Sequence, residues 1–163
     1  MKKSIIIGIM GGGKATRKDE KAAYRLGGLI AKEGWILLNG GRNAGIMEAS
    51  AKGAFDHGGL TVGILPDDNC DRVSEYIKIP IITGMGNARN CINVLSSDIV
   101  VACPGGLGTL SEIALALKNS KAVILLNFDG EKALELYNTK NLLHYAKTPE
   151  QVIDIIKKIH IHF

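Results

Sequence analysis

Ile99-Val100-Val101-Ala102-Cys103-Pro104-Gly105-Gly106-Leu107-Gly108-Thr109-Leu110-Ser111-Glu112 is the stretch on which the fold turns. Ile99–Cys103 is a short run, apolar on both faces, of the kind a parallel sheet buries. Pro104 ends it, three glycines let the backbone approach a ligand closely, and Ser111–Lys118 has helical spacing. A helix that starts here offers unpaired N–H groups and the positive end of its dipole to an anion. Thr109 and Glu112 lie three residues apart. They read either as a capping box, which would be purely structural, or as ligand groups.

The same alternation extends in both directions. Upstream, strands are expected at Ser4–Met10, Trp35–Asn39 and Thr61–Leu65, with a short one at Tyr76–Ile79 that stops before Pro80. Helices are expected from about Lys18 to Glu33, from Gly45 to His57 and from Arg89 to Ser96. Downstream come a strand at Ala122–Leu126, a possible strand near His144–Lys147, and a closing helix from Pro149 to about His160. Strands separated by helices of about 10–15 residues imply right-handed crossovers. The fold class is α/β, a single Rossmann-like doubly wound parallel sheet with helices on both faces. No linker or change of composition divides residues 1–163, so one nucleotide-binding domain is expected.

Composition removes several function classes. The net charge is only +4, and its densest basic group, Lys14, Arg17, Lys18 and Lys21, is interrupted by Asp19 and Glu20. That reads as a solvated helix start, and with aromatics at 5% it argues against a nucleic-acid partner. The apolar run that follows Met1-Lys2-Lys3 is too short for a signal segment or a membrane span. Cys70, Cys91 and Cys103 show no metal-binding spacing, which points to reduced thiols and a cytoplasmic protein.

In folds of this kind ligands sit beyond the carboxyl ends of the strands. Three glycine-rich turns lie there, at 11–13, 40–41 and 105–108. Gly8–Ala15 nearly matches a P-loop, but Ala15 stands where a magnesium-binding hydroxyl is needed, and Gly8 falls inside the strand. A dinucleotide fingerprint is also missing, so an NAD-type oxidoreductase is disfavoured. Asp67, Asp68 and Asp71 read as a solvated loop rather than a metal site, and no metal is expected. His57 and His144 lack ligand partners nearby in sequence, and His160 and His162 read as a fraying end.

The strand–PGGxGTxxE–helix segment resembles the Lonely Guy (LOG) family of cytokinin-activating phosphoribohydrolases, once mislabelled lysine decarboxylases. Asn39-Gly40-Gly41-Arg42-Asn43-Ala44-Gly45-Ile46-Met47 is similar to that family's GGGxxGLM turn, and Arg89 lies fifteen residues before Pro104, as its essential arginine does. Ser97-Asp98 and the strand after it match as well, so the resemblance runs from about Ser4 to Leu126. It implies that Gly105, Gly106, Gly108 and Thr109 hold a 5′-phosphate, with Gly11, Gly12, Gly40, Gly41, Met47 and Asn90 around the ligand. It implies that Arg89 and Glu112 flank the ribose and the N-glycosidic bond, where a carboxylate stabilises oxocarbenium character. Lysine decarboxylation is set aside, because nothing suggests a pyridoxal phosphate site.

One departure matters. The family's arginine is followed by lysine in a Met-His-x-Arg-Lys context, whereas this chain has Gly86-Asn87-Ala88-Arg89-Asn90. That version is more similar to a sister branch that includes the molybdenum-cofactor carrier proteins, which bind a pterin phosphate without cleaving a nucleotide. The expected function is therefore binding of a phosphorylated nucleotide or nucleotide-like ligand, with a molybdopterin-type cofactor among the candidates and no cofactor required. The alternative is a nucleoside 5′-monophosphate phosphoribohydrolase that releases free base and ribose 5-phosphate. The resemblance also implies a homodimer or homotetramer. Residues 127–163 carry no functional reading.

Overall fold

The computed structural model describes residues 4–138 and 140–160. The N-terminal Met1-Lys2-Lys3 and the terminal His162 lie outside the described residues. Seven strands form one sheet: β1 (Ile6–Met10), β2 (Ile36–Asn39), β3 (Thr61–Leu65), β4 (Ile79–Ile82), β5 (Ile99–Ala102), β6 (Val123–Leu126) and β7 (Leu143–Ala146). Their spatial order is β4-β3-β2-β1-β5-β6-β7, and every pair is parallel. The helices are α1 (Arg17–Lys32), α2 (Gly45–Asp56), α3 (Arg89–Ser96), α4 (Leu107–Lys118), α5 (Glu131–Glu135) and α6 (Pro149–His160).

Both faces of the sheet are covered because successive strand residues point to opposite sides. Ile7, Ile9, Ile99, Val101 and Ile124 pack with Leu26 and Ile30 of α1, Ile46 of α2, and Val152 and Ile156 of α6. Met10, Leu38, Val100, Ala102 and Leu125 pack on the other face with Val94 of α3, Ile113 and Ala116 of α4, and Leu134 of α5. The expected α/β fold, with helices on both faces of a doubly wound parallel sheet, is the one observed.

Three local readings change. The strand expected at Tyr76–Ile79 lies at Ile79–Ile82 and runs through Pro80. It is the outermost strand, paired only with β3, and an edge position tolerates a residue without an N–H. The irregular stretch after β6 contains the short helix α5. The helix expected from Ser111 begins four residues earlier, at Leu107, with Gly106 as its cap residue. Among the described residues, no helix is long and apolar enough to cross a membrane.

Candidate functional site

From β1 the chain passes through α1 to β2 on one side of the sheet; from β5 it passes through α4 to β6 on the other. Strand order therefore reverses between the neighbours β1 and β5, and a crevice opens at their carboxyl ends. A cavity of about 220 Å³ lies there. It is lined by the turn after β1 (Gly11, Gly12), by Gly40 after β2 and Met47 of α2, by Arg89 and Asn90 of α3, and by the cap residue Gly106 with Gly108, Thr109 and Glu112 of α4. Ten of the twelve site residues expected from sequence thus meet in one place. Gly41 does not line it; its Cα faces Gly63 of β3. Gly105 lies behind the lining and shapes it from there.

The glycines do different work. A Cβ on Gly105 would lie 2.1 Å from Thr109 Oγ1 and 2.9 Å from the Gly12 nitrogen, so the close approach of the two turns requires glycine. A Cβ on Gly40 would fall 2.6 Å from Arg89 Nη2 and 2.7 Å from Met47 Sδ, so Arg89 lies against bare backbone. Gly106 and Gly108 differ: a Cβ on either would meet nothing within 4 Å. Gly108 sits in the first turn of α4, where glycine costs up to about 1 kcal/mol relative to alanine. Packing does not account for either residue, and the space before them is open.

Because α4 starts at Leu107, Thr109 is inside the helix rather than at its cap, and the capping box with Glu112 does not form. Glu112 is instead buried, 5% exposed, one and a half turns into the helix. Asn93 Nδ2 donates to its Oε1 at 2.8 Å, and Arg89 Nη1 approaches the same oxygen at 3.4 Å. Arg89 Nη1 also donates to Asn90 Oδ1 at 2.8 Å, and Asn90 Nδ2 donates to Ser111 Oγ at 3.0 Å. Ser111 Oγ in turn donates to the Gly108 carbonyl at 2.7 Å. This chain of bonds fixes the first turn of α3 to the first turn of α4. Arg89 Nε and Asn93 Oδ1 are buried without a partner.

Burial raises the Glu112 carboxyl above its ordinary value, while Asn93 and the Arg89 charge pull it back only in part. Burial likewise lowers Arg89, offset in part by Glu112. A carboxyl raised on folding favours the native state when protonated, and that contribution is lost as pH rises through the folded pKa. Glu112→Gln is therefore expected to raise the thermal midpoint at neutral pH, with the gain shrinking on acidification toward the ordinary value of 4.5. Melting curves across pH check this, and a gain that does not depend on pH would refute it.

Asn93 and Ser111 escaped the sequence reading. Asn93 had a usable signal, since it lies four residues after Arg89 on the same helical face. Asn87, in a 3-10 turn (Gly86–Ala88), also lines the cavity. Elsewhere, Asp67 is held by Arg42 in a two-pronged pair at 2.7 and 3.0 Å, so it is not simply solvated, whereas Asp68 and Asp71 are exposed. His57 Nδ1 lies 2.8 Å from the Gly53 carbonyl, a structural contact. Burial pushes the Cys103 thiol up to about 12, far from a reactive thiolate. Among the described residues, no group of three or more His, Cys, Asp or Glu could hold a metal.

The model of the SLOG cluster4 family matches residues 4–153, nearly the whole chain. The chain belongs to the SLOG cluster4 family. This SLOG cluster4 protein is similar to a solved molybdenum cofactor binding protein from the phototrophic bacterium Rippkaea orientalis, with 56% identity and a TM-score of 0.91 over 96% of this chain and 98% of that one. It is 40% identical to the Moco carrier protein from Chlamydomonas reinhardtii, with a TM-score of 0.89 over 99% and 100% of the two chains. A cytokinin riboside 5′-monophosphate phosphoribohydrolase from Oryza sativa is 30% identical over 128 residues, 73% of the SLOG cluster4 chain and 52% of the rice enzyme. The chain thus spans about half the length of that relative. The expected LOG-like membership and the similarity to molybdenum-cofactor carriers both stand.

Proposed function

We propose that the cavity between β1 and β5 holds a phosphorylated, nucleotide-like small molecule of the molybdopterin type, and that this protein is its carrier. One observation carries the reading: Gly106 caps α4 and Gly108 stands in its first turn, and a Cβ on either would meet no protein atom within 4 Å. The first N–H groups of a helix have no partner within it, and the start of α4 lines the cavity. A phosphate fits that cradle, and Arg89 supplies a fixed cation beside it. The buried, unpartnered Nε of Arg89 is a spare donor for a phosphate or hydroxyl oxygen. Asn87 and Asn90 also line the cavity and are the polar groups this reading sets against the organic part. The relatives from Rippkaea and Chlamydomonas support this cargo.

Gly106→Leu tests it. The new side chain would meet no protein atom at its Cβ, so folding is spared while the cradle is filled. Binding of a phosphorylated pterin or of AMP, followed by calorimetry, is expected to be lost. Unchanged binding would put the phosphate site elsewhere.

A second reading rests on the Arg89–Glu112 pair, 3.4 Å apart within the same cavity, and on the rice relative. Burial raises that carboxyl and so favours its protonated form, the form that can deliver a proton to a leaving base. Water adding across the N-glycosidic bond would then release free base and ribose 5-phosphate. Incubation of concentrated protein with AMP decides: no release sinks the hydrolase, and release that survives Glu112→Ala refutes this role for Glu112. Either reading is proposed for a cytoplasmic homodimer or homotetramer, with the assembly state measurable by light scattering.

A further inference from the structure

Beyond the first cavity, a second one of about 630 Å³ opens on the same edge of the sheet, past the carboxyl ends of β6 and β7. Two strand spacings separate it from the β1–β5 crevice, about 10 Å. Its walls bring together Lys18 from the first turn of α1, Lys132 from the first turn of α5, and Lys147 from the residue after β7. Asn127 and Asp129 lie between them, over a floor that includes Phe128 and Ala146.

Basic groups outnumber acidic ones in this lining. Three lysines and one carboxylate, that of Asp129, line it. Of the acids close by in sequence, Asp19 caps α1 through Thr16, with 2.6 Å between their side-chain oxygens, and Glu150 accepts from Arg25 at 2.8 Å. Among the described residues, none of the three lysines forms an ion pair. Two of them also stand where the backbone already repels a cation. Lys18 is at the positive end of the sixteen-residue α1, and Lys147 lies just ahead of the twelve-residue α6. The helix dipole disfavours a cation there. Lysines set against helix dipoles, around a hollow large enough for a nucleotide-sized molecule, find their counter-charge in a bound anion.

We propose that this second cavity binds the phosphate end of a small phosphorylated metabolite, independently of the β1–β5 cavity. A phosphate ester carrying two or more negative charges balances the three lysines and Asp129. The proposal does not depend on what the first cavity holds.

The experiment uses ADP as probe and the Gly106→Leu protein, in which the first cavity is filled. Calorimetry is expected to show ADP binding that weakens as ionic strength rises. Adding Lys18→Ala, Lys132→Ala and Lys147→Ala, all at exposed positions, should weaken it by about tenfold or more. In the otherwise unaltered protein, ADP should shift the backbone amide resonances of residues 127–130. Absence of binding to Gly106→Leu, binding unchanged by the three lysine substitutions, or unmoved resonances at 127–130 would each overturn the proposal.

Discussion

Gly53→Ala is expected to lower the thermal midpoint by roughly 6–12 °C, the equivalent of about 3 kcal/mol in a chain of this size. Helices α1 and α2 cross with backbone almost touching backbone. A Cβ on Gly53 would lie 1.9 Å from the Tyr24 carbonyl oxygen, and one on Gly27 would lie 2.1 Å from that of Ser50. A flexible side chain could yield at such distances; a helical carbonyl cannot, so the helices must separate. That separation opens a face where Leu26, Ile30 and Ile46 are fully buried. Gly106→Ala is the control, because its added carbon meets open space and should leave the midpoint unmoved. Calorimetry of the two variants side by side tests the crossing, and equal midpoints would refute it.

Arg89→Ala is expected to weaken binding of a phosphorylated ligand on the order of 100-fold. Arg89 is the one cationic side chain that lines the β1–β5 cavity among the described residues. Its side chain is only 12% exposed, so its charge is little screened by water. Removal also leaves Glu112 buried without its counter-charge, which pushes that carboxyl further up and makes the fold less stable at neutral pH. Arg89→Lys separates the two effects. It restores a cation beside Glu112 but not the planar fork, so stability should recover more than affinity does. Titration calorimetry and melting curves on both variants read the outcome. Affinity within threefold of the parent for Arg89→Ala would remove Arg89 from the ligand site.

The sheet was largely legible in advance because a parallel strand buried on both faces must be aliphatic throughout, as Ile6–Met10, Ile99–Ala102 and Val123–Leu126 are. β4 was harder: all four of its residues are exposed at an edge, and Pro80 hid the strand that contains it. The start of α4 is hidden in the sequence for a chemical reason. Its cap residue, Gly106, has no side chain to signal a helix, so Thr109 looked like the first residue able to cap one.

Arg89 and Glu112, twenty-three residues apart, entered as a pair only through a family resemblance, since no local spacing links α3 to α4. Asn93 and Ser111, which hold them in place, are ordinary polar residues until the two helices are set side by side. The lysines of the second cavity are the extreme case. Lys18, Lys132 and Lys147 span most of the chain, and in sequence Lys18 reads as part of a solvated helix start.

The turn after β1 has a consequence for timing as well as shape. The Gly12 N–H donates to the Pro104 carbonyl at 3.0 Å, while the Gly12 carbonyl accepts from Ile46 at 3.0 Å. One residue thus laces together three loops around the cavity. Its amide proton should exchange with solvent only when the centre of the sheet opens. A visiting molecule would meet a finished mould, and its capture would show a single kinetic phase governed by encounter, with no slower tightening step.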